Sequence, residues 1–137
     1  MSSRSRRVVA LVVGVVATVG ITTALVMVVE NAWPDDSSRN LGEARWVYWA
    51  ALLALAHFAG GFGGGAVSAL LSGGRPVRSV AWVCVIAFIA MSIPVLGAFD
   101  RPVEMASMLV LNLVTALGVL VGGRLIGARS WTSGRGA

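Results

Sequence analysis

The sequence predicts an all-α membrane protein: four transmembrane helices, packed as two antiparallel hairpins, with both termini cytoplasmic (N-in/C-in). Three observations predict it. The 137 residues are 57% apolar with a mean hydropathy of +0.84, so the chain lacks the polar surface that a soluble domain of this size needs. Four stretches, at 8–29, 46–72, 79–99 and 105–123, contain no Asp, Glu, Lys or Arg. At about 1.5 Å of rise per residue they make helices of about 28 to 41 Å, against roughly 30 Å of hydrocarbon. The arginines, finally, fall unequally on the two sides.

Backbone polar groups in lipid must be satisfied within the segment, which leaves helices or closed barrels. These stretches are continuously apolar rather than alternating, and about twice the length of a barrel strand. Helices win. The whole chain, 1–137, then reads as a single integral membrane domain with an outer loop at 30–45 and a mobile cytoplasmic tail from about 124 to 137.

The formal net charge of +5 does not point to nucleic acid. All eleven basic residues are Arg, and they stand at segment ends rather than in one dense patch. With the N-terminus inside, the cytoplasmic side carries Arg4, Arg6, Arg7, Arg75, Arg78, Arg124, Arg129 and Arg135. Only Arg39, Arg45 and Arg101 remain outside. Over short loops this bias sets the orientation. It also argues against a chain that inserts both ways.

The first stretch follows an Arg-rich start, as a secretory signal would. Signal cores run to 7–15 apolar residues, whereas this one has 22 and no small-x-small site behind it. It reads as a retained span. Ala10, Gly14, Thr18 and Thr22 recur every fourth residue there and make one smooth stripe.

In the outer loop, Trp33, Pro34, Asp35, Asp36, Ser37 and Ser38 form a dense turn signal. Asn40 followed by Glu43 resembles a capping box, placing a helix start near Leu41. Trp46, Tyr48 and Trp49 then fall where an outer aromatic belt belongs.

The second span has the least usual composition. Five of the six residues from 60 to 65 are Gly, which would break a helix in water. In a bilayer, small residues instead let neighbouring backbones approach. Ala56, Gly60, Gly64, Ser68 and Ser72 form an i, i+4 ladder, with Gly61 and Gly65 as a second row beside it. The ladder has three readings: packing within the bundle, packing against another subunit, or the lining of a path where exposed carbonyls meet solute. Gly73, Gly74, Arg75 and Pro76 make the tight turn into the third span. Pro94, near the outer end of that span, takes a hydrogen bond from the Ala90 carbonyl, which Ser92 or a neighbouring helix is expected to re-satisfy. Pro102 and Glu104 suit the first turn of the fourth helix, and its span holds Asn112, Thr115, Gly118, Gly122 and Gly123. No repeat relates the two hairpins.

His57 is the sharpest candidate for chemistry, because an ionisable residue inside a membrane is a functional hypothesis by default. It has no second His, no intramembrane carboxylate and no metal set to work with. The simpler reading is one hydrogen bond across a helix interface. Asn112 lies at similar depth on a span running the same way, so a direct or water-bridged His57–Asn112 contact is expected. Lone Cys84 reads as a small packing residue. The six acids all lie outside the spans, with no His or Cys to join them, and the first span has no buried carboxylate for a transport cycle.

The sequence therefore predicts no enzyme, no cofactor and no metal site. It predicts a multi-pass cell-membrane protein whose partners are the lipid bilayer and, as candidates, other membrane proteins or copies of itself. A non-enzymatic accessory, assembly or structural subunit of a membrane complex fits best. The alternative is a homo-oligomeric small-solute or ion transporter or channel. Its path would use His57, Gly60, Gly61, Gly64, Gly65, Ser68, Asn112 and Thr115. A lipid-handling role fits the apolar surface equally.

Overall fold

The computed structural model describes residues 3–32, 43–72, 76–98 and 102–133. They form four α-helices in chain order: α1 (Ser3–Asn31), α2 (Glu43–Ser72), α3 (Pro76–Ala98) and α4 (Pro102–Ser133). Each is long and apolar enough to cross a membrane. The 33–38 turn, the Asn40 cap and the 73–75 turn lie outside the described residues.

The helices outrun the uncharged stretches that announce them. α1 takes in Arg4, Arg6 and Arg7, α2 opens at Glu43, and α4 continues to Ser133, through residues that the sequence assigns to a mobile tail. Hydrocarbon excludes charge, but it does not decide where backbone hydrogen bonding stops. Pro76 and Pro102 open α3 and α4, where a missing N–H has no intrahelical partner to lose. Glu104 sits in the first turn of α4, at the positive end of the helix dipole.

Contacts between helices fix direction and depth. Along α1, Gly14, Thr18 and Thr22 meet Ser68, Gly64 and Gly60 of α2 in turn, so these two helices run antiparallel. α2 and α4 run parallel: Gly61 lies against Thr115 and Gly65 against Val119. α3 opposes α4, with Val80 at Gly123 and Ser92 at Asn112. α2 is the hub, packing most extensively on α4 and on α1, whereas α1 and α4 scarcely touch.

Glycine makes that arrangement possible. A Cβ on Gly65 would stand 2.8 Å from the Val119 carbonyl carbon, and one on Gly60 would stand 2.7 Å from the Thr22 Cα. One on Gly14 would stand 2.8 Å from the Ser68 Cβ. These are nearer than carbon atoms pack, so the helices meet backbone to backbone.

At the end of the bundle that carries both termini, Ala69, Val80, Val83 and Val119 form an apolar core, with Leu11, Val15, Cys84, Leu120 and Ile126 packed around it. The outward faces of all four helices carry mainly Val, Leu and Ile, among them Val16, Leu55, Ile89 and Leu117. That surface suits lipid rather than water.

Replacing Gly65 or Gly122 by Ala should lower stability by about 1–3 kcal/mol through overpacking. Gly20 has nothing within 4 Å. Gly20→Ala should therefore be neutral, or stabilise by up to about 1 kcal/mol through helix propensity. Thermal unfolding in mild detergent measures both; equal losses at Gly20 and Gly65 would contradict the packing described.

Candidate functional site

Every residue singled out from the sequence as a packing or pathway candidate lies on α2 or α4, and every one is buried. All but Asn112 lie in or beside the two contact strips of α2. Gly60, Gly64 and Ser68 face α1, against the Gly14, Thr18 and Thr22 stripe. Gly61 and Gly65, about 100° further round the helix, face α4.

The α2–α4 strip is reciprocal. A Cβ on Gly61 or Gly65 would run into the carbonyls of Thr115 and Val119, and a Cβ on Gly118 or Gly122 into those of Phe58 and Phe62. Each helix thus places two glycine Cα atoms over carbonyl oxygens of the other. Such an approach favours weak Cα–H···O=C bonds, worth about 0.5–1 kcal/mol each, comparable to an interhelical side-chain bond. Gly118 and Gly122 are the residues that sequence reading noticed but did not select. Their own i, i+4 spacing was the available signal; that they mirror Gly61 and Gly65 shows only when the helices are placed side by side.

Beside this strip lie the polar side chains. His57 Nδ1 and Thr115 Oγ1 are 2.9 Å apart, and both residues are buried. Thr115 Oγ1 also lies 3.3 Å from the carbonyl of Leu111, one turn back. The pair closes in either tautomer. With Nδ1–H donating to Oγ1, the hydroxyl proton goes to Leu111; with Nδ1 bare, the hydroxyl donates to the ring.

Asn112 makes a different contact. Its Nδ2 donates to Ser92 Oγ at 3.2 Å, joining α4 to α3. The direct His57–Asn112 hydrogen bond expected from depth alone is therefore not formed. The two residues do sit at neighbouring depths, but Asn112 and Thr115 are three positions apart on α4 and point to different neighbours, Asn112 to α3 and Thr115 to α2. Depth was legible in the sequence, and direction around the helix was not. Ser92, named with a neighbouring helix as a candidate donor for the Ala90 carbonyl, accepts this bond from α4.

Cys84 Sγ donates weakly to the Ala116 carbonyl at 3.5 Å, again between α3 and α4. On the α1 side, Thr18 Oγ1 donates to the Gly14 carbonyl at 2.8 Å. Thr22 Oγ1 and Ser68 Oγ are buried without a hydrogen-bond partner. Both stand where small residues bring α1 and α2 together, so Thr22 Oγ1 lies against Gly60 instead of water. Among the described residues, no group of three His, Cys, Asp or Glu is placed to hold a metal ion.

Comparisons with protein-family models, with curated proteins and with solved structures find no match for this chain. The arrangement must therefore be interpreted from its own chemistry, which is that of helix association: each polar side chain with a partner bonds across an interface or to its own helix.

A double-mutant cycle on His57 and Thr115 should show a coupling of about 0.6, and at most about 1.7, kcal/mol. The same cycle on His57 and Asn112 should be additive within about 0.5 kcal/mol. Unfolding of the single and double variants in detergent gives both values, and coupling in the second cycle alone would reverse the pairing.

Proposed function

We propose that this protein is a non-enzymatic accessory or structural subunit of a membrane complex, inserted in the cell membrane as two antiparallel hairpins with both termini cytoplasmic. The observation that carries the reading is the occupation of α2. Its two glycine rows are taken up by α1 and α4 of the same chain, and His57 is taken up by Thr115. Residues that a solute path would have to expose are thus spent on holding the bundle shut. What the described helices offer their surroundings is a largely apolar outer surface, which suits lateral contact with other membrane-embedded subunits.

Orientation rests on arginine. Arg4, Arg6 and Arg7 are exposed at the start of α1, and Arg124 is exposed toward the end of α4, which places them at the same end of the bundle. The positive-inside bias assigns that end to the cytoplasm.

Native mass spectrometry of protein extracted gently from its own membrane tests the role. The expected result is a stoichiometric assembly containing larger, unrelated subunits. Purification free of any such subunit, together with solute flux in proteoliposomes that His57→Ala abolishes, would overturn it in favour of a transporter. A reporter that is active only in the cytoplasm should work when fused at either terminus; activity at one terminus alone would refute the even number of spans.

A further inference from the structure

Arg124 stands on the lipid side of α4. Val110, Leu113, Leu117, Val121, Arg124 and Ala128 follow one another at steps of three and four, which keeps them on one face of the helix. All six are exposed, whereas Thr115, Val119 and Gly123 are buried against α2 and α3. Five members of the exposed stripe are apolar, and the sixth carries a permanent charge.

Two routes through the bundle give the depth of that charge. A Cβ on Gly123, the residue before Arg124, would stand 3.0 Å from the Val80 Cβ. Val83, three residues on from Val80, is level with Gly14 of α1, whose added Cβ would stand 2.9 Å from Val83 Cγ2. α1 and α3 run the same way, so Val80 and its neighbour Gly123 are level with Leu11. By the other route, Gly65 lies against Val119, and Gly64 lies against Thr18 and Gly14. Five residues on from Val119, at about 1.5 Å each, Arg124 again comes level with Leu11. Leu11 belongs to the uncharged run 8–29, and Arg7 lies about 6 Å nearer the end of the bundle. The Arg124 side chain thus leaves its helix inside the apolar layer, within the span Glu104–Ala128.

No acidic side chain of the chain can meet it there. Glu30, Glu43 and Glu104 stand at the opposite ends of α1, α2 and α4, about 30 Å away along the helix axes. Asp35, Asp36 and Asp100 belong to the connections that join those ends. Arg4, Arg6 and Arg7, exposed at the same end as Arg124, only add positive charge. A charge set among apolar residues needs a partner or a path to water. α4 runs toward this end of the bundle, and the Cα–Cβ bond of Arg124 tilts back toward the membrane middle. To reach water the side chain must turn about and pass exposed Leu125 and Ala128. A lipid phosphate, by contrast, lies at the edge of the hydrocarbon itself. A guanidinium can give such a phosphate two parallel N–H bonds.

We propose that Arg124 and the stripe leading to it form a binding site for an acidic phospholipid, with the guanidinium on the headgroup phosphate and an acyl chain along Val121, Leu117 and Leu113. One molecule satisfies both halves of the face, the charge and the apolar row. The uncompensated arginines at this end select an acidic headgroup over a zwitterionic one. The site is independent of the accessory role and of which side of the membrane this end of the bundle faces.

The test is native mass spectrometry of the full-length protein in mild detergent, titrated with phosphatidylglycerol or with phosphatidylcholine. The first phosphatidylglycerol should bind at least about tenfold more tightly than the first phosphatidylcholine. Arg124→Gln should lower that preference at least about fivefold, as the loss of one charge at a lipid surface implies. Arg6→Gln, which removes the same charge from the same end, should leave it within about twofold. A phosphatidylglycerol with a photoactivatable acyl chain should label residues 110–121 of the wild-type protein, a result that does not depend on any variant folding. The proposal is overturned if the two lipids bind alike, if Arg6→Gln and Arg124→Gln lower the preference equally, or if the label falls only on other helices. It is also overturned if inorganic phosphate at the same concentration displaces the lipid, since the site would then be one for free phosphate.

Discussion

Backbone-to-backbone contact along α2 is the constraint on which the rest of the bundle depends. Two helices buried in lipid gain little from hiding apolar surface from each other, since lipid tails are as apolar as Leu. What remains is close packing and the weak bonds that close packing allows. Gly61, Gly65, Gly118 and Gly122 bring α2 and α4 near enough for carbonyls to face glycine Cα atoms. Gly60 and Gly64 do the same for α1. Remove this approach and the His57–Thr115 bond could not span the gap, because both side chains are short and both stand beside the strip.

The same constraint explains why so many polar groups are tolerated at the centre of an apolar chain. Thr18 returns its proton to its own helix, as does Ser72, to the Ala69 carbonyl. His57 and Asn112 each cross to a neighbour. Thr22 and Ser68 have no conventional partner and are held where the backbone approach is tightest. Their small volume accounts for their position: a larger side chain at either place would separate α1 from α2. An ionisable residue in a membrane invites a functional reading, but His57 has the geometry of a packing residue, with a near neighbour for one ring nitrogen and a Gly face on either side of it.

How far the sequence could be read follows from what each feature depends on. Span number and approximate limits depend on composition along the chain, so the four helices were legible. Their true ends were not, because α4 continues through Arg124 to Ser133 by backbone hydrogen bonding that hydropathy does not register. The Gly ladder of α2 and the Gly14, Thr18 and Thr22 stripe of α1 were each visible as a periodicity. That one is the partner of the other is a statement about two helices, and a single sequence gives no rotation between them. The direct His57–Asn112 bond is not found for this reason. The expectation used depth, which counting residues provides, and lacked azimuth, which only the packed bundle provides.

Helices that pack through glycine on two sides become rigid at the centre of a bundle and leave adaptability to its margins. α2 is fixed between α1 and α4 by glycines of its own, whereas α3 brings side chains to the contact: Val80 onto Gly123, Val83 onto Gly14, and Cys84 and Ser92 onto α4. Only in its first half does α3 bury the stripe that begins at Val80; in the second half the same stripe is exposed. Proline is well placed there. Within a tightly packed helix it would remove a needed bond and disturb neighbours on every side, but at an open margin the freed carbonyl remains accessible to a donor from outside. The core of the chain is thus closed to partners by its own glycines, and whatever specificity the protein has for another membrane helix must reside on the outward faces of the bundle.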